Sequence, residues 1–180
     1  MVTFAVPDKL TAEEIRTIRR KLGLTRAEFA RLANVSKKTV ERWEAGEREI
    51  GGPIAALVKL LWEYPQMKEE LTVPDKKYPL RLWYMEGSRV CTIIDVDERS
   101  RKVKVHNYTK DYIARAFGKE ENPDFEAYEA FLESRCFPRS RDKMKLTLRE
   151  FDLPFYEPLL IIEKTQGRMA EDDFWIQIER

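Results

Sequence analysis

"LTRAEFARLANVSKKTVERWEAGE", residues 24–47, decides how the first third of the chain is read. Thr25 and Glu28 have the spacing of a capping box, in which a hydroxyl and a carboxylate three residues apart satisfy free amides at a helix start. Phe29 and Leu32 follow as a small apolar stripe. The next helix is predicted to begin at Ser36, whose hydroxyl caps free amides, and to run through Val40 and Trp43 to Gly46. Helix, short turn and helix at this length have the dimensions of a helix-turn-helix, whose second helix enters the DNA major groove by its N-terminal turn. Ser36, Lys37, Lys38, Thr39, Glu41 and Arg42 then lie near DNA, while Val40 and Trp43 face inward. The plainer alternative is a solvated helix in a small bundle, because short helices with lysines are common. Glu41 and Glu44, two acids in the same run, keep that alternative open.

The flanks extend the helical pattern. Thr11 and Glu14 repeat the capping box ahead of Ile15, Ile18 and Leu22, and Gly23 supplies a stop. A fourth helix is predicted near Pro53, carrying Ile54, Leu57, Val58, Leu60, Leu61 and Trp62, and "PQMKEEL" at 65–71 adds a fifth. The prolines and polar residues of "TVPDKKYPL", 72–80, break the pattern. The boundaries expected are a helical unit over 1–73, a linker over 74–79 and a second unit over 80–180. "LRLWYM", "RVCTIIDV" and "RKVKVHNY", separated by "EGS" and "DERS", predict three antiparallel strands in a meander. Helices are predicted from Asn122 and Pro123, from Ser140, and over Leu159 to Lys164. "FWIQIER" at 174–180 reads as a possible strand. The fold class expected is an all-α five-helix domain followed by an α+β domain.

Charge narrows the function classes. Basic residues number 33 and acidic residues 32, so no global field draws the chain to nucleic acid or an anionic membrane, and any such binding must come from a local patch. Cys91 and Cys136 have no partner motif, which fits a reducing compartment and a cytoplasmic protein. The N-terminus lacks the form of an export leader, and no window approaches the roughly 20 apolar residues that span a bilayer. His106 with Cys91 or Cys136 is a conceivable nucleophile and base, but the histidine alternates outward with Lys102 and Lys104 on a predicted strand. Asp95, Asp97 and Glu98 read as turn carboxylates without metal-ligand spacing. No enzyme, metal or cofactor is expected. The strongest basic run, "RCFPRSRDKMK" at 135–145, offers Arg135, Arg139, Arg141 and Lys143 as an anion or partner patch, or as a solvated helix start. Trp83, Tyr84, Phe174 and Trp175 are core or interaction surface.

"LGLTRAEFARLANVSKKTVERWEAGEREIGGP" resembles the XRE, or Cro/cI-type, helix-turn-helix, with its small residue at Ala30, its "VS" at Val35 and Ser36, and its "RWEAG" at Arg42 to Gly46. The resemblance covers about one third of the chain. It implies that Lys37, Lys38, Glu41 and Arg42 face bases, that Arg26 contacts phosphate, and that Arg19 and Glu44 form a structural pair. With its flanks, the segment resembles the DNA-binding part of MqsA- and HigA-type antitoxins, which bind operators as dimers and repress their own operon. Members of the first type carry paired CxxC motifs in a zinc domain, and this sequence has none. The C-terminal half resembles small proteins associated with HipA-like kinases, which implies a protein-binding module, with a ligand-sensing or dimerising domain as the plainer alternative. A homodimeric, autoregulating repressor is therefore expected. The rival is an antitoxin-like module that neutralises a toxin, such as a HipA-like kinase, through residues 80–180.

Overall fold

A computed structural model describes residues 5–180, so the expectation of no export leader rests in part on residues 1–4, which lie outside the described residues. The chain divides into two compact units, one ending at Thr72 and one spanning Val73–Arg180, each with its own apolar core.

The first unit runs β1 (Lys9–Leu10), α1 (Ala12–Lys21), α2 (Arg26–Leu32), α3 (Lys37–Ala45), β2 (Ile50–Gly51), α4 (Pro53–Glu63) and α5 (Met67–Leu71). Both capping boxes form: Thr11 N–H donates to Glu14 at 2.7 Å and Thr25 N–H to Glu28 at 2.7 Å. Ile15, Ile18, Phe29, Val40, Trp43, Ile50, Val58 and Leu61 meet in the core. The periodicity gave no sign of β1 and β2, which pair antiparallel with Leu10 opposite Ile50. Two-residue strands leave no alternation to detect. Gly51 is required there, since a Cβ would lie 2.8 Å from the Asp8 carbonyl oxygen. Leu60 and Trp62, expected on α4, lie there but are exposed, and the Lys21 ammonium stands 4.9 Å from the Trp62 ring.

The second unit contains β3 (Leu80–Glu86), β4 (Arg89–Asp97), β5 (Lys102–Asn107), α6 (Phe125–Ser134), α7 (Met144–Glu150), α8 (Pro158–Thr165) and β6 (Phe174–Glu179). The expected meander is part of a larger sheet, because β6 returns antiparallel to β3 and gives the order β5-β4-β3-β6. Leu82, Tyr84, Ile94, Val96 and Ile176 pack against Tyr128, Phe131, Leu132, Ile161 and Ile162 of the helices. Tyr84 stacks on Phe174 at 4.9 Å, which places both in the core. Trp83 and Trp175 stay partly exposed, their ring N–H groups donating to Glu179 at 3.0 Å and to the Gly87 carbonyl at 2.6 Å.

Three expectations are corrected in this unit. Asp95 is no turn carboxylate: it lies buried in β4 and accepts from Arg81 at 2.6 and 2.8 Å. The expected linker is fastened to that pair, with Arg81 donating to the Pro74 carbonyl at 3.0 Å and Lys77 N–H to Asp95 at 2.6 Å. The helix predicted from Ser140 starts only at Met144, after Lys143 in the left-handed conformation at φ 59°. Asp97 does cap its turn, accepting from Ser100 Oγ at 2.6 Å. Among the described residues no helix is long and apolar enough to cross a membrane.

Candidate nucleic-acid interface

The recognition geometry is set by a tight turn and a cap. Asn34, at φ 51°, adopts the left-handed conformation that asparagine tolerates better than most residues, and Val35 N–H returns to the Ala30 carbonyl at 2.9 Å. Ser36 Oγ then accepts from Thr39 N–H at 3.1 Å and shares a 2.8 Å hydrogen bond with the Thr39 hydroxyl. The two hydroxyls expected at DNA thus fix the start of α3.

From that start, α3 buries Val40, Trp43 and Glu44 and exposes Lys37, Lys38, Glu41 and Arg42. Lys37 and Glu41, one turn apart, form an ion pair at 3.6 Å. Lys38 and Arg42 share an adjacent stripe, and among the described residues neither forms an ion pair. Glu41 therefore tempers one lysine and leaves two cations uncompensated.

Glu44 has the opposite role. Its carboxylate, 3% exposed, accepts from Arg19 Nε and Arg26 Nε at 2.6 Å each. Arg16 Nε adds a bond at 3.0 Å to the Glu44 carbonyl. Burial alone would raise the pKa of Glu44, but the two guanidinium hydrogen bonds and charges outweigh it and hold the carboxyl below its ordinary range. Arg26, expected to contact phosphate, is thus committed through Nε to the fold, although its side chain stays 51% exposed.

Sequence reasoning passed over Arg16 and Arg48. Arg48 lies between Glu47 and Glu49, which masks it as an isolated charge. In the fold Glu49 pairs with Lys9 at 2.6 Å, and Arg48 lines a groove of about 290 Å³ with Val35, Thr39, Trp43 and Glu49 beside the start of α3. Folding, not local sequence, brings that cation beside the start of α3.

The other candidates separate. Arg135 leaves the basic run altogether: it is buried, donates to both Asp172 oxygens at 2.6 and 2.9 Å, and also reaches the Gly167 and Phe174 carbonyls at 3.0 Å. Arg139 pairs with Glu133 at 2.7 Å, and Arg141 lies 5.7 Å from the Phe137 ring. Lys143 precedes α7 in the left-handed conformation and makes no side-chain capping bond, and with Arg135 buried the four residues do not form one exposed patch. Cys91 packs with Ile94 and Val96 in the core, whereas His106 is registered opposite Ile93 and lines a groove with Pro74 and Lys104. Cys136 donates to the Leu132 carbonyl at 3.2 Å, and burial pushes its thiol up to about 12, away from the nucleophilic thiolate.

Comparison with known proteins agrees with this geometry. Residues 15–58, from within α1 to within α4, match the Helix-turn-helix family. A stretch of 57 residues, 32% of this chain, is 35% identical to the antitoxin HigA-2 of Vibrio cholerae serotype O1. The match spans 55% of that relative, so the chain covers about half its length. Residues 15–58 are accordingly a helix-turn-helix module of the XRE type.

Proposed function

We propose that this protein is a sequence-specific transcriptional repressor that occludes its own promoter. The observation that carries the reading is the sorting of charge on α3: Glu44 is buried beneath two arginines, while Lys37, Lys38 and Arg42 face outward from the first two turns. Arginine and lysine reach guanine O6 and N7 in the major groove, and Glu41 accepts from cytosine or rejects other bases. Arg26, held by Glu44, and Arg48 beside Thr39 provide phosphate contacts that set the helix in register. The protein acts as a homodimer on two half-sites about one helical turn apart, because a module of this size buries too little surface to be tight and specific alone. Its setting is the cytoplasm, its role is binding and not catalysis, and it requires no cofactor or metal. Selection of bound fragments from genomic DNA, followed by mobility shift on the recovered site, tests the reading. Failure to enrich any sequence from the protein's own upstream region removes autoregulation.

A second reading is favoured by the similarity to an antitoxin. In it, residues 80–180 bind and neutralise a toxin, with a HipA-like kinase as one candidate, and DNA binding serves to regulate the pair. Co-purification with the product of a neighbouring gene supports this reading, and isolation of the chain alone from its native host opposes it.

A further inference from the structure

The helices of the second unit pack on one face of its sheet, and the opposite face has a different chemistry. Its middle row runs Gln177, Trp83, Ile93 and His106 across β6, β3, β4 and β5, residues that the register sets side by side. The next row begins with Trp175 opposite Met85. Gln177 and His106 are exposed, and Trp83 and Trp175 are half-buried. Each indole satisfies its polar edge within the chain, Trp83 on Glu179 and Trp175 on the Gly87 carbonyl, which ties the ring down without an outside hydrogen bond. His106 is held in turn by an edge contact with the Tyr108 ring at 4.6 Å. Trp83 and His106 stand two strand spacings apart, about 10 Å.

Charge gives this face a direction. A groove of about 260 Å³ lies between the β4–β5 pair and the segment before β3, lined by Pro74, Ile93 and Val105 together with Lys77, Lys104 and His106. Two acids also line it, and they are unequal. Asp95 is neutralised by Arg81 at 2.6 and 2.8 Å and by the Lys77 N–H at 2.6 Å. Asp75 is left against two lysines, neither of which forms an ion pair among the described residues. Lys102 continues the exposed stripe of Lys104 and His106 along β5. Held rings interleaved with unmatched cations suit a ligand that alternates flat π-systems with negative charge, which is the chemistry of a single-stranded nucleic acid. A duplex stacks its bases on one another and withholds their faces, and an anionic membrane offers charge without rings.

We propose that this sheet face binds single-stranded nucleic acid, with bases stacked on Trp83 and His106 and phosphates on Lys77 and Lys104. The face belongs to the second unit, and its role stands whether or not α3 reads an operator. Anisotropy of a labelled short oligothymidylate, titrated with the full chain in low salt, is expected to show saturable binding accompanied by tryptophan quenching. K38A/R42A, on α3, is expected to leave that binding in place. W83L and H106A are each expected to weaken it about fivefold or more, as for loss of one stacked base, with circular dichroism unchanged. K77A/K104A is expected to flatten the salt dependence by a slope of about 1.4, the share of two phosphates on a single strand. The proposal is overturned by absence of saturable binding, or by thymidine monophosphate binding as tightly as the strand, which would assign the face to a free nucleotide. Loss of strand binding in K38A/R42A would assign the strand to α3 and overturn it as well. So would unchanged affinity in W83L or H106A, or an unchanged salt slope in K77A/K104A.

Discussion

Glu44 sits where a lone carboxylate would oppose DNA binding, and its burial turns it into the anchor of three arginines. Removing a partner from a buried ion pair leaves an uncompensated charge, so E44A is expected to destabilise the first unit by about 3 kcal/mol, measured by urea unfolding. Because the folded carboxyl titrates below its ordinary value of 4.5, its contribution is complete above that value. It is lost as pH falls through the folded value. The wild type should therefore lose stability in that acid range more steeply than E44Q. On the outer face, K37A and R42A are each expected to cost about 1–3 kcal/mol on the selected operator and to relax its sequence preference. The same loss on every sequence would assign them to phosphate instead. For R26A a uniform loss, with a salt slope reduced by about one, is expected alongside a lower unfolding midpoint. The pairing of Glu44 with Arg19 was legible through family resemblance. The added grip of Arg26 was not, because residues 18 positions apart meet only through tertiary packing.

At the scale of elements, helices announced themselves and bridges did not. Thr11, Thr25 and Ser36 mark their helix starts because capping is a contact over three residues, which a sequence displays directly. Ser140 has the same chemistry and marks nothing, since α7 waits until Met144. The pairing of β6 with β3 joins residues some 90 positions apart, beyond any local pattern. Arg135 and Asp95 were misread for the same reason: each looks like a surface charge until its partner, Asp172 or Arg81, is brought across the fold. D95A is expected to destabilise the second unit by about 3 kcal/mol or more by stranding the buried Arg81. D95N, which keeps an acceptor oxygen, should cost less. Equal stability of D95A and wild type in chemical denaturation would contradict the assigned role.

Across the whole molecule, two separate apolar clusters imply two cooperative units. Calorimetry should resolve E44A and D95A as lowering different transitions, and a single transition shifted equally by both would show the units to be energetically fused. The near balance of 33 basic and 32 acidic residues predicts weak non-specific DNA affinity, leaving the α3 contacts a larger share of the binding. The fastened segment before β3 also governs where the chain can be cut. Its prolines and polar residues invite a protease or an engineer to separate the units at Leu80. Yet a fragment starting there loses the Pro74 carbonyl and the Lys77 amide that complete the Arg81–Asp95 pair. The natural seam lies at Thr72 and Val73, and a second unit excised from Val73 onward carries its own clasp with it.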